Sequence, residues 1–252
     1  MRTRHGTRRR IGLFRALFAA LVGAQVAYPR VPRQRLPAAT RGIVGLMLAT
    51  STADAIAARG RRGGALVGSA GALGFAIELV GVRTGRPFGR YRYGDGLGVK
   101  LGGVPLLAAA AWALMARPAW VVAGLIDERP AARVPLAAGA LTAWDVFLDP
   151  RMAADGYWTW PDGGVYEGVP ASNFAGWFAT ALGVFALWAA AERDDDPVAD
   201  GDGALALYAW TWLGETFANA AFWRRPVVAL AGGAAMGAFA APALVRWRDP
   251  SR

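Results

Sequence analysis

The sequence predicts an all-α integral membrane protein, a bundle of about eight transmembrane helices with seven as the alternative. Three observations carry that prediction. Of 252 residues, 55% are hydrophobic and only 18% are charged, a balance more apolar than that of ordinary soluble domains. Apolar runs of about 20 residues, the length needed to cross a bilayer core, recur along the whole chain. These runs do not alternate polar with apolar positions, so helices satisfy their backbone groups in lipid and barrel strands do not.

The first run, 11–28, follows "MRTRHGTRRR". That arginine-rich start imitates a secretory or twin-arginine signal, but no small-x-small cleavage site ends the run and more helices follow at once. It therefore reads as an uncleaved helix behind a basic tail at 1–10. Runs at 39–58 and 63–82 come next. The fourth, 102–126, carries Arg117 and Pro118 inside "LLAAAAWALMARPAWVVAGLI" and reads as one helix with a proline kink. The remaining runs are 131–149, closed by Pro150, then 173–192, 203–222 and 226–246. Two connections, 84–101 and 150–172, are rich in glycine and aromatic residues and are expected to be ordered. A third, 193–202, is acidic and expected to be exposed. No period of 20 to 50 residues repeats and no linker divides the chain, so residues 1–252 form a single membrane domain.

The formal net charge is +10. The arginines are scattered through the connections and form no continuous stripe, which argues against nucleic acid as a partner and suits loops beside lipid headgroups. A slight excess of Lys and Arg on the N-terminal side places that end inside, in a multi-pass protein of the cytoplasmic membrane. There is no cysteine, and the one histidine, His5, lies in the basic tail. Disulfides, thiolate nucleophiles, zinc sites and histidine-ligated iron are therefore not expected. Any chemistry falls to carboxylates, hydroxyls, aromatic rings and arginine.

Ionisable groups inside apolar helices are costly, which makes them functional candidates. Four stand out: Asp54 in "LATSTADAIAA", Glu78 in "GFAIELVGV", Asp145 in "TAWDVFLDP" and Glu215 in "WTWLGETFANAAF". Asp145 and Asp149, four apart, share one helical face. Two carboxyl groups so close do not both ionise easily in a dry site, and the one that keeps its proton becomes a usable acid. The alternative is that Asp149 neutralises a nearby arginine such as Arg151. Thr211, Glu215 and Asn219 make a second polar stripe that interhelical hydrogen bonding would also explain, and Asp54 beside Ser51 and Thr52 suits the same bonding role. Tyr157, Trp158, Trp160, Tyr166, Phe174 and Trp177 crowd the segment after Pro150; an interfacial belt accounts for such a composition, yet the connection is longer than packing requires.

Two motifs are weaker than they look. "DDDPVAD" (194–200) resembles the magnesium-diphosphate loops of prenyltransferases, but it occurs once and in the most solvated connection, so no metal is assigned to it. Gly94, Gly96 and Gly98 follow no strand and open no βαβ unit, so they are no dinucleotide fingerprint.

Taken in order, Glu78, "TGRPFGRYRY" (Thr84, Gly85, Pro87, Phe88, Gly89, Tyr91, Tyr93), "GVP" at 103–105, Trp112, Asp145, the "DP" of 149–150, "YWTW" at 157–160 and "YEGVPASNFAGW" at 166–177 resemble the membrane carotenoid biosynthesis family. Its characterised members are carotenoid hydratases, including bisanhydrobacterioruberin hydratase. The resemblance covers about residues 70–180. Arg117 departs from it, standing where an aromatic or apolar residue is expected. The resemblance implies a carotenoid substrate, a lipid bilayer as surroundings, other membrane enzymes of carotenoid synthesis as candidate partners, and no cofactor.

The implied reaction adds water to a terminal isopropylidene double bond of an acyclic or monocyclic carotenoid. It needs an acid to protonate one carbon, giving a tertiary carbocation, and a base to deliver water. Glu78, Asp145 and Asp149 are the expected acid and base. Phe88, Tyr91, Tyr93, Trp158, Trp160, Tyr166, Asn173 and Trp177 are the expected substrate contacts, with aromatic faces shielding the cation. Asp54 and Glu215 are secondary candidates. Two readings stay open beside it: an end-group isomerase or cyclase that loses a proton from the same cation, and a non-catalytic carotenoid-binding or transport protein. A prenyltransferase would require the acidic run to face the site.

Overall fold

A computed structural model describes residues 2–192 and 201–249. The expected acidic connection at 193–202 thus lies almost wholly outside the described residues. Among these, seven helices follow in order: α1 (Arg2–Ala27), α2 (Leu36–Thr84), α3 (Leu106–Ile126), α4 (Pro130–Ala154), α5 (Ala171–Ala191), α6 (Asp202–Ala221) and α7 (Pro226–Arg248). Proline sits in the first turn of α2, α4 and α7, where its fixed φ suits helix entry and its missing N–H costs nothing.

α2 is two rods. Gly60 interrupts its 49 residues with φ 60° and ψ −147°, a conformation open to glycine and strained for other residues. A Cβ on Gly63 would lie 2.0 Å from the Ala55 carbonyl oxygen, whereas residues eight apart on a straight helix are separated by about 12 Å. The chain therefore doubles back at Gly60, leaving about 24 residues on each side. Each arm is about 36 Å long, enough to cross a bilayer. The eight rods correspond to the eight apolar runs of the sequence. Among the described residues, six helices are long and apolar enough to span a membrane, with the folded α2 counted once. α6 is the exception, because Thr211, Glu215, Thr216 and Asn219 interrupt its apolar surface.

α3 is the axis of the bundle. Its span is 72% buried, against 6% for that of α1, and it packs on α2, α4, α6 and α7. It runs through Arg117 and Pro118 as one helix. α4 also continues through a proline, ending at Ala154 and not at Pro150, so the aromatic connection begins later than the sequence suggests. Pro150 has no N–H to offer the Val146 carbonyl four residues back. The Tyr166 hydroxyl donates to that carbonyl instead, at 3.1 Å, and the helix passes through.

The connections after α2 and after α4 come together at one end of the bundle. There the short strands β1 (Arg92–Tyr93) and β4 (Trp158–Thr159) pair antiparallel, with Tyr93 opposite Trp158. This pairing ties the loop after α2 to the loop after α4. A second pair, β2 (Lys100–Leu101) and β3 (Val104–Pro105), folds the first loop back towards α3.

Candidate functional site

Glu78 lies one and a half turns before the end of α2, and two glycines on the same arm open space beside it. A Cβ on Gly74 would fall 2.1 Å from the Trp112 ring, and one on Gly81 would fall 2.7 Å from the Tyr91 hydroxyl; no side chain fits at either place. Three donors therefore reach the Glu78 carboxyl group. Tyr91 donates a short hydrogen bond to Oε2, Tyr93 donates to the same oxygen at 2.8 Å, and the Trp112 indole N–H donates to Oε1 at 3.2 Å. Glu78 is 4% exposed, so these three groups replace water as its solvent. A carboxylate accepts all of them without conflict. Burial first, and then the Glu78 charge, hold the Tyr91 and Tyr93 phenols well above their usual range, so both stay protonated and remain donors.

Asp145 and Asp149 occupy one face of α4 and converge on Asn173, in the first turn of α5. The Asn173 amide nitrogen donates to Asp145 Oδ2 at 2.9 Å and also, at short range, to Asp149 Oδ2. Asp145 is wholly buried, and its Oδ1 has no hydrogen-bond partner among the described residues. One amide group is thus shared between two neighbouring carboxyl groups. Asp149 does not pair with Arg151, whose Nε donates to Asp155 at 2.8 Å.

These groups meet at a cavity of about 380 Å³. Glu78, Asp149 and Asn173 line it, as do Phe88, Tyr91, Tyr93, Trp158, Trp160 and Trp177. The aromatic walls are packed on one another: Trp112 stacks on Trp177 with ring centres 3.9 Å apart, and Tyr93 meets Tyr91 and Trp158 edge-on at 5.4 and 5.8 Å. Trp160 is fixed by donating to the Phe88 carbonyl at 3.0 Å. Between α1 and α6 the cavity reaches the outer surface, where its lining includes Val26, Phe217 and Phe222, each more than half exposed.

Several candidates lie elsewhere. Asp145 sits behind Asp149, and Tyr166 holds the Val146 carbonyl; neither lines the cavity. Asp54 forms a buried ion pair with Arg117 at 3.1 Å, away from the cavity, which accounts for an arginine at a position where an apolar residue was expected. Glu215 lines the cavity and takes a long bond of 3.4 Å from Asn219; Thr211, also in the lining, turns its hydroxyl back to the Leu207 carbonyl. Trp112 as a partner of Glu78, Trp144 as a wall, and Tyr28 and Thr40 at the rim were not singled out as site residues from the sequence. Their contacts join distant segments and leave no local pattern. Among the described residues, no three His, Cys, Asp or Glu side chains are grouped so as to hold a metal ion.

The family described as carotenoid biosynthesis protein matches residues 40–241, a range that takes in every side chain of the two carboxyl clusters. The chain belongs to that family. This carotenoid biosynthesis protein is also 38% identical over 108 residues to the bisanhydrobacterioruberin hydratase of Haloarcula japonica. The match covers 41% of this chain and 36% of the relative, so the chain spans little more than a third of that protein's length. No solved structure matches it. The family and the apolar helices together make it a membrane protein of carotenoid synthesis.

Proposed function

We propose that this carotenoid biosynthesis protein is an enzyme, a hydro-lyase that adds water to the terminal isopropylidene double bond of an acyclic or monocyclic carotenoid, giving a tertiary alcohol. The observation that carries the reading is the convergence of Glu78 and Asp149 on one aromatic-walled cavity. The hydratase relative supports the reaction class. Charges lining a path through the bundle would favour transport, but Asp54 pairs with Arg117 and Glu192 with Arg59 and Arg133, outside the cavity.

In this scheme the two clusters divide the work. Asp149 is the acid: its proton goes to the CH carbon of the double bond, the π pair forms the new C–H bond, and the charge moves to the dimethyl-substituted carbon. Trp158, Trp160 and Trp177 shield that cation with their ring faces. Glu78, surrounded by donors, is the base: a water molecule attacks the cation and gives its proton to the Glu78 carboxylate. Release of this proton to water and reprotonation of Asp149 complete the cycle. Asp145 and Asn173 are positioning residues for Asp149, and Tyr91, Tyr93 and Trp112 serve Glu78. Carboxyl groups suffice for both proton transfers, so the scheme uses no cofactor. The carotenoid enters from the bilayer between α1 and α6, within the cytoplasmic membrane and beside other enzymes of the pathway.

Expression in a carotenoid-producing bacterium tests the reading. Pigments heavier by one water per reacting end are expected, with the oxygen drawn from heavy-oxygen water. Label drawn from molecular oxygen would overturn hydration. An isomerised or cyclised pigment of unchanged mass would identify the sibling reaction that loses a proton from the same cation.

A further inference from the structure

A second cavity, of about 340 Å³, opens at the end of α2 beside the paired loops. Arg83, Thr84, Arg90, Arg92 and Asp162 line it, and Tyr91 is shared with the walls of the aromatic cavity. The backbone gathers these side chains. α2 is capped by Gly85 in the left-handed region, φ 73°, and the chain returns close by, so that a Cβ on Gly85 would fall 2.9 Å from Arg90 Cγ. Arg92 is then fixed in β1 opposite Thr159. Asp162, the acidic residue of the lining, is taken up by Arg90, whose Nε and Nη2 donate to its two oxygens, each at 3.0 Å. Among the described residues, no ion pair forms to Arg83 or Arg92. The cavity therefore carries two arginines in excess of its acid. A basic side chain in the last turn of a helix complements the helix dipole, which accounts for Arg83; Arg92 lies in a strand and has no such reason to be there.

An anion with several acceptor oxygens matches this lining, because the planar arginine fork pairs with phosphate through parallel hydrogen bonds. The place of the cavity decides the source of the phosphate. The second arm of α2 is about 36 Å long, more than the roughly 30 Å of a hydrocarbon core, so its end stands among lipid headgroups. Leu73, Ala76 and Val80, at i, i+3 and i+7 of this arm, are all exposed and make an outward apolar stripe that runs on to Thr84 at the cavity. An acyl chain lies along that stripe while its phosphate enters the cavity, whereas free phosphate uses the cavity alone. We propose that Arg83 and Arg92 form a headgroup site for an anionic glycerophospholipid. A zwitterionic headgroup brings an ammonium group that the surplus arginines repel.

The test is binding, which requires neither carotenoid nor turnover, so its outcome is independent of hydration. The full chain in detergent is titrated with phosphatidylglycerol and with phosphatidylcholine of the same acyl chains, and native mass spectrometry reads the lipid retained. Phosphatidylglycerol is expected to bind about tenfold more tightly. Arg83→Gln combined with Arg92→Gln should remove that preference. Arg33→Gln combined with Arg35→Gln, which removes the same charge from exposed positions outside the cavity, should leave it intact. Inorganic phosphate should displace no more lipid than chloride at equal ionic strength. Equal retention of the two lipids, or equal loss of preference in the two double variants, would overturn the site. Displacement by phosphate beyond the chloride control would make a soluble phosphate the ligand and overturn the assignment to lipid.

Discussion

Tyr166 donates its hydroxyl to the Val146 carbonyl at 3.1 Å, the acceptor that Pro150 leaves without a backbone donor. A side chain from the loop after α4 thus completes the ladder of the helix that carries Asp145 and Asp149. Tyr166→Phe is expected to lower stability by about 1–3 kcal/mol, the cost of an unsatisfied buried carbonyl. Pro150→Ala restores a backbone N–H, so the double variant should recover most of that loss. Thermal unfolding of the four proteins in one detergent measures the coupling. Strictly additive effects would show that the two residues do not serve the same carbonyl.

The proposed division between acid and base predicts different failures for the two clusters. In heavy water, Asp149→Asn should abolish both hydration and deuterium uptake into recovered carotenoid, a loss of about a hundredfold or more. Glu78→Gln should still protonate the double bond but capture water poorly, so recovered substrate gains deuterium through repeated protonation and loss. Mass spectrometry of the unreacted pigment separates the cases. If Glu78→Gln blocks deuterium uptake as fully as Asp149→Asn does, the roles are not divided in this way.

Trp112 contributes an N–H to Glu78 and a face to Trp177. Trp112→Phe keeps an aromatic face and removes the donor, so it should lower kcat about tenfold, in keeping with the loss of one hydrogen bond to a charged group, while KM changes little. A rise in KM with kcat intact would make Trp112 a packing residue only.

The buried phenols set a pH dependence with a definite sign. Burial raises Tyr91 and Tyr93 above the ordinary value of 10.0, and burial followed by the Glu167 charge pushes Tyr166 up to about 12. The unfolded chain ionises these phenols near their ordinary value while the folded protein keeps them neutral. Their contribution to stability is therefore fully present below about pH 10 and is lost as pH rises beyond it. An absorbance titration at alkaline pH should show these tyrosines ionising only as the fold is lost; early reversible ionisation of all six tyrosines would contradict the buried arrangement around Glu78.

Much of the fold was legible because each rod announces itself as an apolar run, and the turn at Gly60 falls between two of them. Glu78, Asp145 and Asp149 were legible because ionisable groups are conspicuous in such runs. The rest depends on contacts across long stretches of chain. The partner that explains Arg117 is Asp54, 63 residues earlier, and the Trp112 donor lies 34 residues from Glu78. Pro150 carries a local stop signal that a tyrosine 16 residues downstream overrides, which no local rule anticipates. Arg151 looked like a counter-ion for Asp149 because the two are close in sequence, yet successive positions on a helix point in different directions.

The pairing of Tyr93 with Trp158, and of Asn173 with both aspartates, also fixes when the site comes into being. Glu78 reaches the ribosome exit on the second arm of α2, its indole partner arrives with α3, the aspartates with α4 and their shared amide only with α5. A nascent chain halted before Ala171 would hold every carboxyl group of the two clusters within inserted helices and still lack the amide that gathers two of them. The two aspartates therefore gain their shared amide only when the N-terminal turn of α5 docks.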